Sequence, residues 1–285
     1  MGGGEKSHSG FYYRIDLQYD GSVFYGWARQ PGLPTVQGAL EEALRRILGE
    51  VPVLRVAGRT DAGVHAHHQV VSMQLSRRVD CMTLARSLDA LTPPEMGLLN
   101  CVETPETFDA RRDALSRTYR YFIYTERFVD PFIRRYVWRI PWKPDVGLLG
   151  ALASQAEGKH DFRAFTPTET EHVFFHRTVI RCAWKWAEPL LEFKIEANAF
   201  LRHMVRSLVG TMIGIARGGS SQESFQALLK GAPRSRAGPT APAHGLFLWR
   251  VKYRDTELLP GLTPRRRSII MPSCVSRRYG ENLYG

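Results

Sequence analysis

The chain has 285 residues, of which 44% are hydrophobic and 11% aromatic, and it carries a formal net charge of +11. This length and composition exclude an intrinsically disordered chain, and they allow one large domain or two modest ones with packed cores. No apolar run is long enough to cross a bilayer and no signal-peptide core stands near the N-terminus, so we expect a protein without a membrane-spanning segment.

The excess of Lys and Arg over Asp and Glu, 39 against 28, favours a phosphate-rich partner. Nucleic acid is favoured over an anionic membrane, because the basic residues are not gathered on one amphipathic stretch. The four cysteines are scattered singly, without the spacing of a zinc or redox pair. Scattered thiols suit a reducing compartment, which predicts a cytoplasmic location.

The first half of the chain is predicted to mix strands and helices. Residues 12–19 alternate apolar and polar side chains, which predicts a strand. Thr35 is the expected N-cap of a helix over 36–48, which Gly49 ends. The further predictions for this half are short strands over 53–57, 71–75 and 98–102, and a helix over 83–91.

A second unit is predicted to begin near residue 107. Residues 116–124 alternate and are rich in aromatic side chains, which is typical of a strand. Residues 200–216 carry an apolar stripe at helical spacing and predict a helix. The remaining predictions for this half are strands over 178–186, 190–197 and 246–253, and helices over 146–156 and 225–230.

Strands with helices between them in both halves favour an α+β fold of antiparallel sheets covered by helices. We predict an N-terminal unit over 11–106 and a C-terminal unit over 107–254. Residues 1–10 are rich in Gly and Ser, and residues 255–285 are irregular and basic. We therefore expect both ends to be flexible.

The most informative stretch is the polar loop predicted over 58–65. Its glycines let the backbone turn sharply or approach a ligand, and a loop held by a sheet is a common place for catalytic groups. Asp61 supplies a carboxylate there, close to Arg59. Loop chemistry alone also explains Asp61 as a turn residue that hydrogen-bonds its own backbone, so both interpretations stay open at this point.

The strand predicted over 116–124 is a second candidate. Alternation places Tyr119 and Tyr121 on one face and Arg120 on the other. Aromatic rings on a sheet can stack on bases, and a neighbouring arginine can hold phosphate. The alternative is that the tyrosines are ordinary strand residues packed in a core.

Basic side chains in the helix predicted over 200–216 form a third candidate. Arg202 and Arg206 fall one turn apart, an arrangement that favours a bound carboxylate or phosphate. The alternative is that both arginines are solvated. His65 ends the 58–65 loop and His67 and His68 follow it, but no carboxylate or cysteine stands at a ligand spacing from them, so no metal site is predicted.

Taken together, these segments resemble the TruA family of tRNA pseudouridine synthases. The resemblance runs from about residue 12 to residue 253. The segments that carry it include Tyr19-Asp20-Gly21-Ser22, Thr35-Val36-Gln37-Gly38, Gly58-Arg59-Thr60-Asp61-Ala62-Gly63-Val64-His65, Ser116-Arg117-Thr118-Tyr119-Arg120-Tyr121, His203-Met204-Val205-Arg206 and Ala243-His244-Gly245-Leu246. Each could occur by chance, but the whole set in this order is specific.

The resemblance implies two related lobes, with antiparallel sheets flanked by helices and a catalytic cleft between them. It implies a homodimer that isomerises uridines on the 3′ side of the tRNA anticodon stem-loop to pseudouridine, without metal or organic cofactor. The family's catalytic Asp, active-site Tyr and basic partner correspond to Asp61, Tyr119 and Arg206. The residues expected to bind substrate are Tyr119, Arg59, His65, Arg202 and Leu246.

Other functions remain in competition with this one. A non-catalytic RNA-binding protein of the same fold would use the same charge and aromatic strands, but it would not need Asp61, Tyr119 and Arg206 together. A related synthase with a different RNA target is a second alternative. A small-molecule enzyme is disfavoured by the net charge and by the lack of a cofactor fingerprint.

Overall fold

The computed structural model describes residues 10–170, 172–219 and 221–254. Its strands and helices confirm the α+β class, while residues 1–9 and 255–285, where we predict flexible ends, lie outside the described residues. The strands are β1 (Phe11–Tyr19), β2 (Arg55–Val56), β3 (His65–Leu75), β4 (Met96–Thr104), β5 (Ser116–Tyr124), β6 (Trp138–Arg139), β7 (Gly158–Asp161), β8 (His176–Ala187), β9 (Leu190–Ala197) and β10 (Leu246–Lys252). The α-helices are α1 (Val36–Leu48), α2 (Cys81–Leu91), α3 (Val146–Ala156), α4 (Met204–Ala216) and α5 (Gln222–Leu229).

Helix α1 begins and ends where the sequence predicts. The Thr35 hydroxyl accepts a hydrogen bond from the Gly38 amide, 3.2 Å away, and so satisfies a donor that the first helical turn leaves unpaired. Gly49 follows in the left-handed conformation, with φ of 80°, which lets the chain leave the helix. Strand β5 and helix α3 also have their predicted bounds.

The strands form one sheet in the order β4-β1-β3-β10-β5-β9-β8-β7, with β2 added to β3 and β6 added to β5. Most neighbours are antiparallel, as predicted, but β10 runs parallel to β3, and β6 parallel to β5. The last strand thus pairs on one side with the N-terminal half and on the other with the C-terminal half. The two halves share a continuous sheet, although the sequence predicted a sheet for each.

Helix α4 begins later than its apolar spacing predicts. The prediction runs from residue 200, whereas the helix begins at Met204. The cause is His203, whose φ of 62° lies in the left-handed region that a non-glycine residue rarely adopts and that a right-handed helix cannot contain. Arg202 therefore precedes the helix, and the expected pairing of Arg202 with Arg206 on one helical face is wrong.

The core lies on both faces of the sheet. On one face, Tyr119 and Leu248 belong to a large apolar cluster that includes the buried face of α4. On the other face, a smaller cluster is formed by Phe122, Tyr124, Ile133, Val137, Leu190 and Phe247. The segment between β5 and β6 therefore folds back over the sheet. Within the described ranges, each helix falls short of the length and apolar character needed to cross a bilayer.

Candidate active site at the Asp61 loop

The loop between β2 and β3 brings Asp61 to the N-terminal end of α4. One Asp61 carboxylate oxygen, Oδ2, lies 3.0 Å from Nη1 of Arg206, a residue 145 positions along the chain. The Arg206 Nε donates to the Ala241 carbonyl oxygen at 2.8 Å, so the guanidinium is held at two points. The side chains of Asp61 and Arg206 are 24% and 16% exposed, which leaves the pair partly shielded yet open to a ligand.

His203 is a third member of this cluster that we did not predict. Its Nε2 lies 3.4 Å from the same Oδ2 atom of Asp61. Partial burial lowers the pKa of His203, with Arg206 and Arg202 acting in the same direction and Asp61 opposing them. The imidazole is therefore neutral at pH 7. The sequence signal was its position between two arginines, but its contact with Asp61 depends on the unusual backbone at residue 203.

Tyr119 lies beside the start of the same loop, with its side chain buried on β5. A Cβ atom at Gly58 would stand 3.6 Å from the Tyr119 hydroxyl, an ordinary contact distance, so this hydroxyl lies directly beside the start of the loop. The ring packs edge-on against Phe200 at 4.9 Å between centroids. Burial raises the pKa of Tyr119, and the charges of Tyr19 and Asp61 raise it further. Its hydroxyl therefore keeps its proton at neutral pH.

The residues around Tyr119 on β5 belong to the core. Tyr121 is fully buried and donates its hydroxyl proton to the Pro242 carbonyl oxygen at 2.8 Å. Arg120 is also buried, with its Nε 3.2 Å from Glu192 and its guanidinium 4.1 Å from the centre of the Trp249 ring. Tyr121 is thus an ordinary strand residue packed in the core, and Arg120 does not face an RNA phosphate.

His65 and Leu246, both expected to bind substrate, are buried. The His65 ring is 0% exposed, its Nδ1 lies 3.1 Å from Asp20 Oδ1, and its Nε2 lies 3.1 Å from the His244 carbonyl oxygen. With both ring nitrogens next to protein groups, the His65 side chain supports the loop from behind and has no surface for RNA. Leu246 is 5% exposed and lies opposite Tyr121 in the sheet.

Arg59 and Arg202, by contrast, are exposed. Neither guanidinium forms an ion pair with another described residue. Arg59 belongs to the loop that carries Asp61, and Arg202 directly precedes His203. Their charges therefore stand on the solvent side of the cluster, where a phosphate group could reach them.

Arg117 holds the loop in place, and its role was not predicted. Its guanidinium is buried and donates to the Ala57 carbonyl oxygen through Nε and Nη2, at 3.1 and 3.0 Å. It also donates to the Asn198 carbonyl oxygen at 2.9 Å. This one side chain ties the start of the Asp61 loop to the segment that leads into α4. Its position in a strand motif gave no sign of these long-range partners.

Polar side chains beneath the loop fix its backbone further. Gln69 donates to the Gly58 carbonyl oxygen at 2.7 Å, and the Tyr19 and Thr60 hydroxyls lie 2.7 Å apart. Burial raises the pKa of Tyr19 to about 12, although hydrogen bonds with Thr60 and Gln69 oppose the shift. These buried contacts leave Asp61 on a rigid support, as a catalytic group requires.

The segment after β1 packs against the loop through Gly26. This residue has φ of 89°, and a Cβ atom here would lie 2.8 Å from the Thr60 carbonyl oxygen and 3.1 Å from the Ala62 amide nitrogen. The Trp27 amide donates to the same Thr60 oxygen at 3.0 Å. A glycine is therefore needed for the two backbones to meet beside Asp61.

The three histidines near the loop have separate surroundings. His65 lies beside Asp20, His67 stacks on Trp249 at 4.4 Å between ring centres, and His68 accepts a hydrogen bond from the Val251 amide at 3.2 Å. Among the described residues, no cluster of three or more His, Cys, Asp or Glu side chains has the arrangement of a metal site.

The chain is similar to known tRNA pseudouridine synthases. A family model described as tRNA pseudouridine synthase matches residues 152–254. A tRNA pseudouridine synthase A from Moorella thermoacetica is 40% identical over 242 residues, which cover 84% of this chain and 98% of that protein. The protein of the same name from Roseiflexus castenholzii is 41% identical over 244 residues, covering 85% of this chain and 90% of that protein.

Proposed function

The chain belongs to the tRNA pseudouridine synthase A family, and from that membership we propose that it isomerises uridine to pseudouridine in tRNA with Asp61 as the nucleophile. The observation that carries the assignment to Asp61 is its contact with Arg206 and His203, both made through Oδ2. Among the described residues Oδ1 accepts no hydrogen bond, so this oxygen is the one available to a substrate.

The reaction breaks the bond between C1′ of the ribose and N1 of uracil and joins C1′ to C5. The proton on C5 is lost and N1 gains one, so no atom or electron is exchanged with a cofactor. The target base must first leave the RNA stack, which costs a few kcal/mol and least in a loop. The detached uracil must then turn within the site before it rejoins the sugar, and this requires that water be kept out.

Asp61 has three routes open to it in this mechanism. Its carboxylate can attack C1′, as a nucleophile does in retaining glycoside hydrolysis, it can assist the loss of uracil, or it can add to C6 of the base. Arg206 serves each route, because its contacts with Asp61 and Ala241 fix the direction of the carboxylate. Tyr119 supplies a protonated hydroxyl and an aromatic face beside the same loop, suited to move a proton and to stack on uracil.

We propose that Arg59 and Arg202 hold phosphates of the RNA, since both are exposed near the Asp61 cluster. The expected substrate set is uridines on the 3′ side of the anticodon stem-loop, and the expected assembly is a homodimer.

We place the protein in the cytoplasm. This location is supported by the free thiols of Cys81, Cys101 and Cys182, which suit a reducing compartment.

The experiment is to incubate the protein with unmodified tRNA, without added metal or cofactor, and to map pseudouridine by chemical labelling. We expect product on the 3′ side of the anticodon arm. Asp61→Asn should bind tRNA normally and lose roughly 10⁴-fold or more in rate, as removal of a catalytic nucleophile does. Asp89→Asn, a change of the same kind at an exposed residue of α2, is the matched control.

Each other outcome points to a different conclusion. Normal turnover by Asp61→Asn would refute the nucleophile assignment. Binding of tRNA by the wild-type protein without any product would favour a non-catalytic RNA-binding protein. Product only on ribosomal or messenger RNA would favour a related synthase with a different target.

A further inference from the structure

An open cavity of about 410 Å³ lies next to the Asp61 loop and is lined by Ser22, Val23, Arg134, Arg135 and His244. The residues assigned to chemistry, Asp61 and Tyr119, do not line it. The cavity is thus a neighbour of the proposed active site and has no role in the mechanism above.

Two walls of this cavity are attached to the loop that carries Asp61. On the first wall, the Phe24 carbonyl oxygen accepts a hydrogen bond from the Gly63 amide at 3.2 Å. On the second wall, the Cβ atom of Ala243 is close to Gly63: a Cβ atom added at Gly63 would lie 3.4 Å from it. The lining residue Val23 directly precedes Phe24, and His244 directly follows Ala243. The cavity therefore adjoins the loop that carries Asp61.

Arg134 and Arg135 belong to a turn that is fixed on both sides. Ile133 and Val137, which flank the two arginines, are each 2% exposed. The Tyr136 hydroxyl donates to Asp20 Oδ2 at 2.8 Å, and the Val137 carbonyl oxygen lies 3.1 Å from Nε2 of His244. The backbone that presents the two guanidinium groups is therefore anchored, and binding would not have to order it.

Among the residues that line the cavity, Arg134 and Arg135 carry positive charges. Both arginines are exposed, and neither forms an ion pair with a described residue. The carboxylate closest along the chain to Ser22 is that of Asp20, which already accepts hydrogen bonds from the Ser22 amide and the Tyr136 hydroxyl. The Asp130 carboxylate likewise accepts one from the Phe132 amide. Asp20 and Asp130 keep their negative charges, but among the described residues neither carboxylate forms an ion pair with Arg134 or Arg135, so both guanidinium groups are open to a ligand.

We propose that Arg134 and Arg135, with the Ser22 hydroxyl beside them, bind the backbone phosphates that flank the target nucleotide. This proposal rests on the proposed function, because it requires an RNA strand at Asp61. Arginine pairs bind phosphate oxygens through several hydrogen bonds at once, and such contacts set the register of a nucleic acid without reading its bases. The two arginines would therefore position the strand and take no part in the bond changes.

The first test compares Arg134→Ala/Arg135→Ala with a control of equal charge change, Arg86→Ala/Arg217→Ala. The control residues are exposed and lie on α2 and at the end of α4. We expect Kd for tRNA to rise about tenfold or more in the first variant, and the slope of log K against log salt to become shallower by about 1 for each arginine. The rate at saturating enzyme in a single turnover should stay near the wild-type value.

The second test locates the phosphates. A stem-loop RNA with a neutral methylphosphonate linkage beside the target uridine should bind the wild-type protein more weakly. In the Arg134→Ala/Arg135→Ala variant the same linkage should cause little further loss, because the partners of that phosphate are already absent. Losses that simply add, or a variant whose Kd and salt slope match those of the control, would overturn the proposal.

These results separate two kinds of failure. If the wild-type protein forms no pseudouridine in any RNA, the proposed function fails and the phosphate site fails with it. If the wild-type protein forms pseudouridine but both double variants bind tRNA alike, only the phosphate site is refuted. A loss of folding in the first variant would be visible as a lower unfolding temperature. In that case Arg134→Lys/Arg135→Lys, which keeps both charges, would replace it in the binding measurement with the methylphosphonate RNA.

Discussion

Two aspartates near the site have surroundings that suit different tasks. Asp61 meets Arg206 and His203 through one oxygen and keeps the other available. Asp20 lies beside His65 and accepts hydrogen bonds from the Ser22 amide and the Tyr136 hydroxyl. Burial alone would raise the pKa of Asp20, but the interaction with His65, followed by the hydrogen bonds from Ser22 and Tyr136, outweighs burial and holds this pKa well below the ordinary value. Asp20 therefore supports the structure, and Asp61 is the carboxylate suited to reaction.

Asp20→Asn should lower the free energy of unfolding by about 1.5–3 kcal/mol at pH 7, the usual contribution of hydrogen bonds to a charged group. The unfolded pKa of Asp20 is about 3.9, and its folded pKa is lower. The stabilisation is therefore complete above about pH 4–5 and is lost as pH falls through the folded pKa. Denaturant unfolding from pH 7 to pH 2 should show the two proteins converging in acid. A constant difference across this range would contradict the prediction, and Glu169→Gln, at an exposed carboxylate, is the control.

Tyr119→Phe separates stacking from proton transfer at the same position. The phenyl ring keeps its packing against Phe200 but has no proton to move. We expect kcat to fall by about 10²–10⁴-fold, the usual contribution of general acid–base catalysis, with Kd for tRNA nearly unchanged. A loss confined to Kd would show that Tyr119 only stacks. Tyr25→Phe, at a residue that is 52% exposed, controls for the loss of a hydroxyl.

At the scale of elements, the site depends on connections whose shape local sequence does not dictate. The segment before α4 has the apolar spacing of a helix, but His203 takes a left-handed conformation and places its imidazole 3.4 Å from Asp61. Such a conformation costs about 1–3 kcal/mol and persists where surrounding contacts require it. By contrast, the ends of α1 follow from Thr35 and Gly49 alone, because capping uses neighbouring residues.

Gly26→Ala tests the contact between the segment after β1 and the Asp61 loop. The change combines a positive φ with a Cβ 2.8 Å from the Thr60 carbonyl oxygen, so we expect a loss of stability above about 2 kcal/mol and slower product formation. Gly32→Ala is the matched control, because its φ is also positive but nothing lies within 4 Å of the added atom. The control should lose about 1–2 kcal/mol and keep its rate. Equal effects of both changes would contradict the role of the close approach.

For the whole molecule, the continuous sheet is what places the site. Strand β10 pairs with both β3 and β5, and Arg117 of β5 bonds the Ala57 carbonyl oxygen of the other half. The loop that carries Asp61 and the strand that carries Tyr119 are thus held in one rigid frame. The division predicted at residue 107 remains a prediction. A shared sheet should unfold as one cooperative unit, whereas two separately folding units should unfold at two distinct levels of stability.

Hydrogen exchange of the native protein distinguishes these possibilities. Because β10 bridges β3 and β5, we expect the protected amides of these three strands to exchange with one free energy, equal within about 1 kcal/mol, through one cooperative opening. Mass spectrometry or NMR can measure this. Two distinct levels, one for residues 11–106 and one for residues 107–254, would support the predicted units.

By itself the sequence determined the α+β class, the bounds of α1, α3 and β5, and the family, because helix caps, periodicity and motifs are local in the chain. The family resemblance named Arg206 as the basic partner of Asp61, but the contacts among the marked residues are made by the tertiary structure. It joined Asp61 to Arg206 across 145 positions, buried His65 behind the loop, and set Arg134 and Arg135 beside a cavity at its edge. These contacts arise from the pairing of β10 between the two halves, and no local pattern encodes a pairing between strands so distant in sequence.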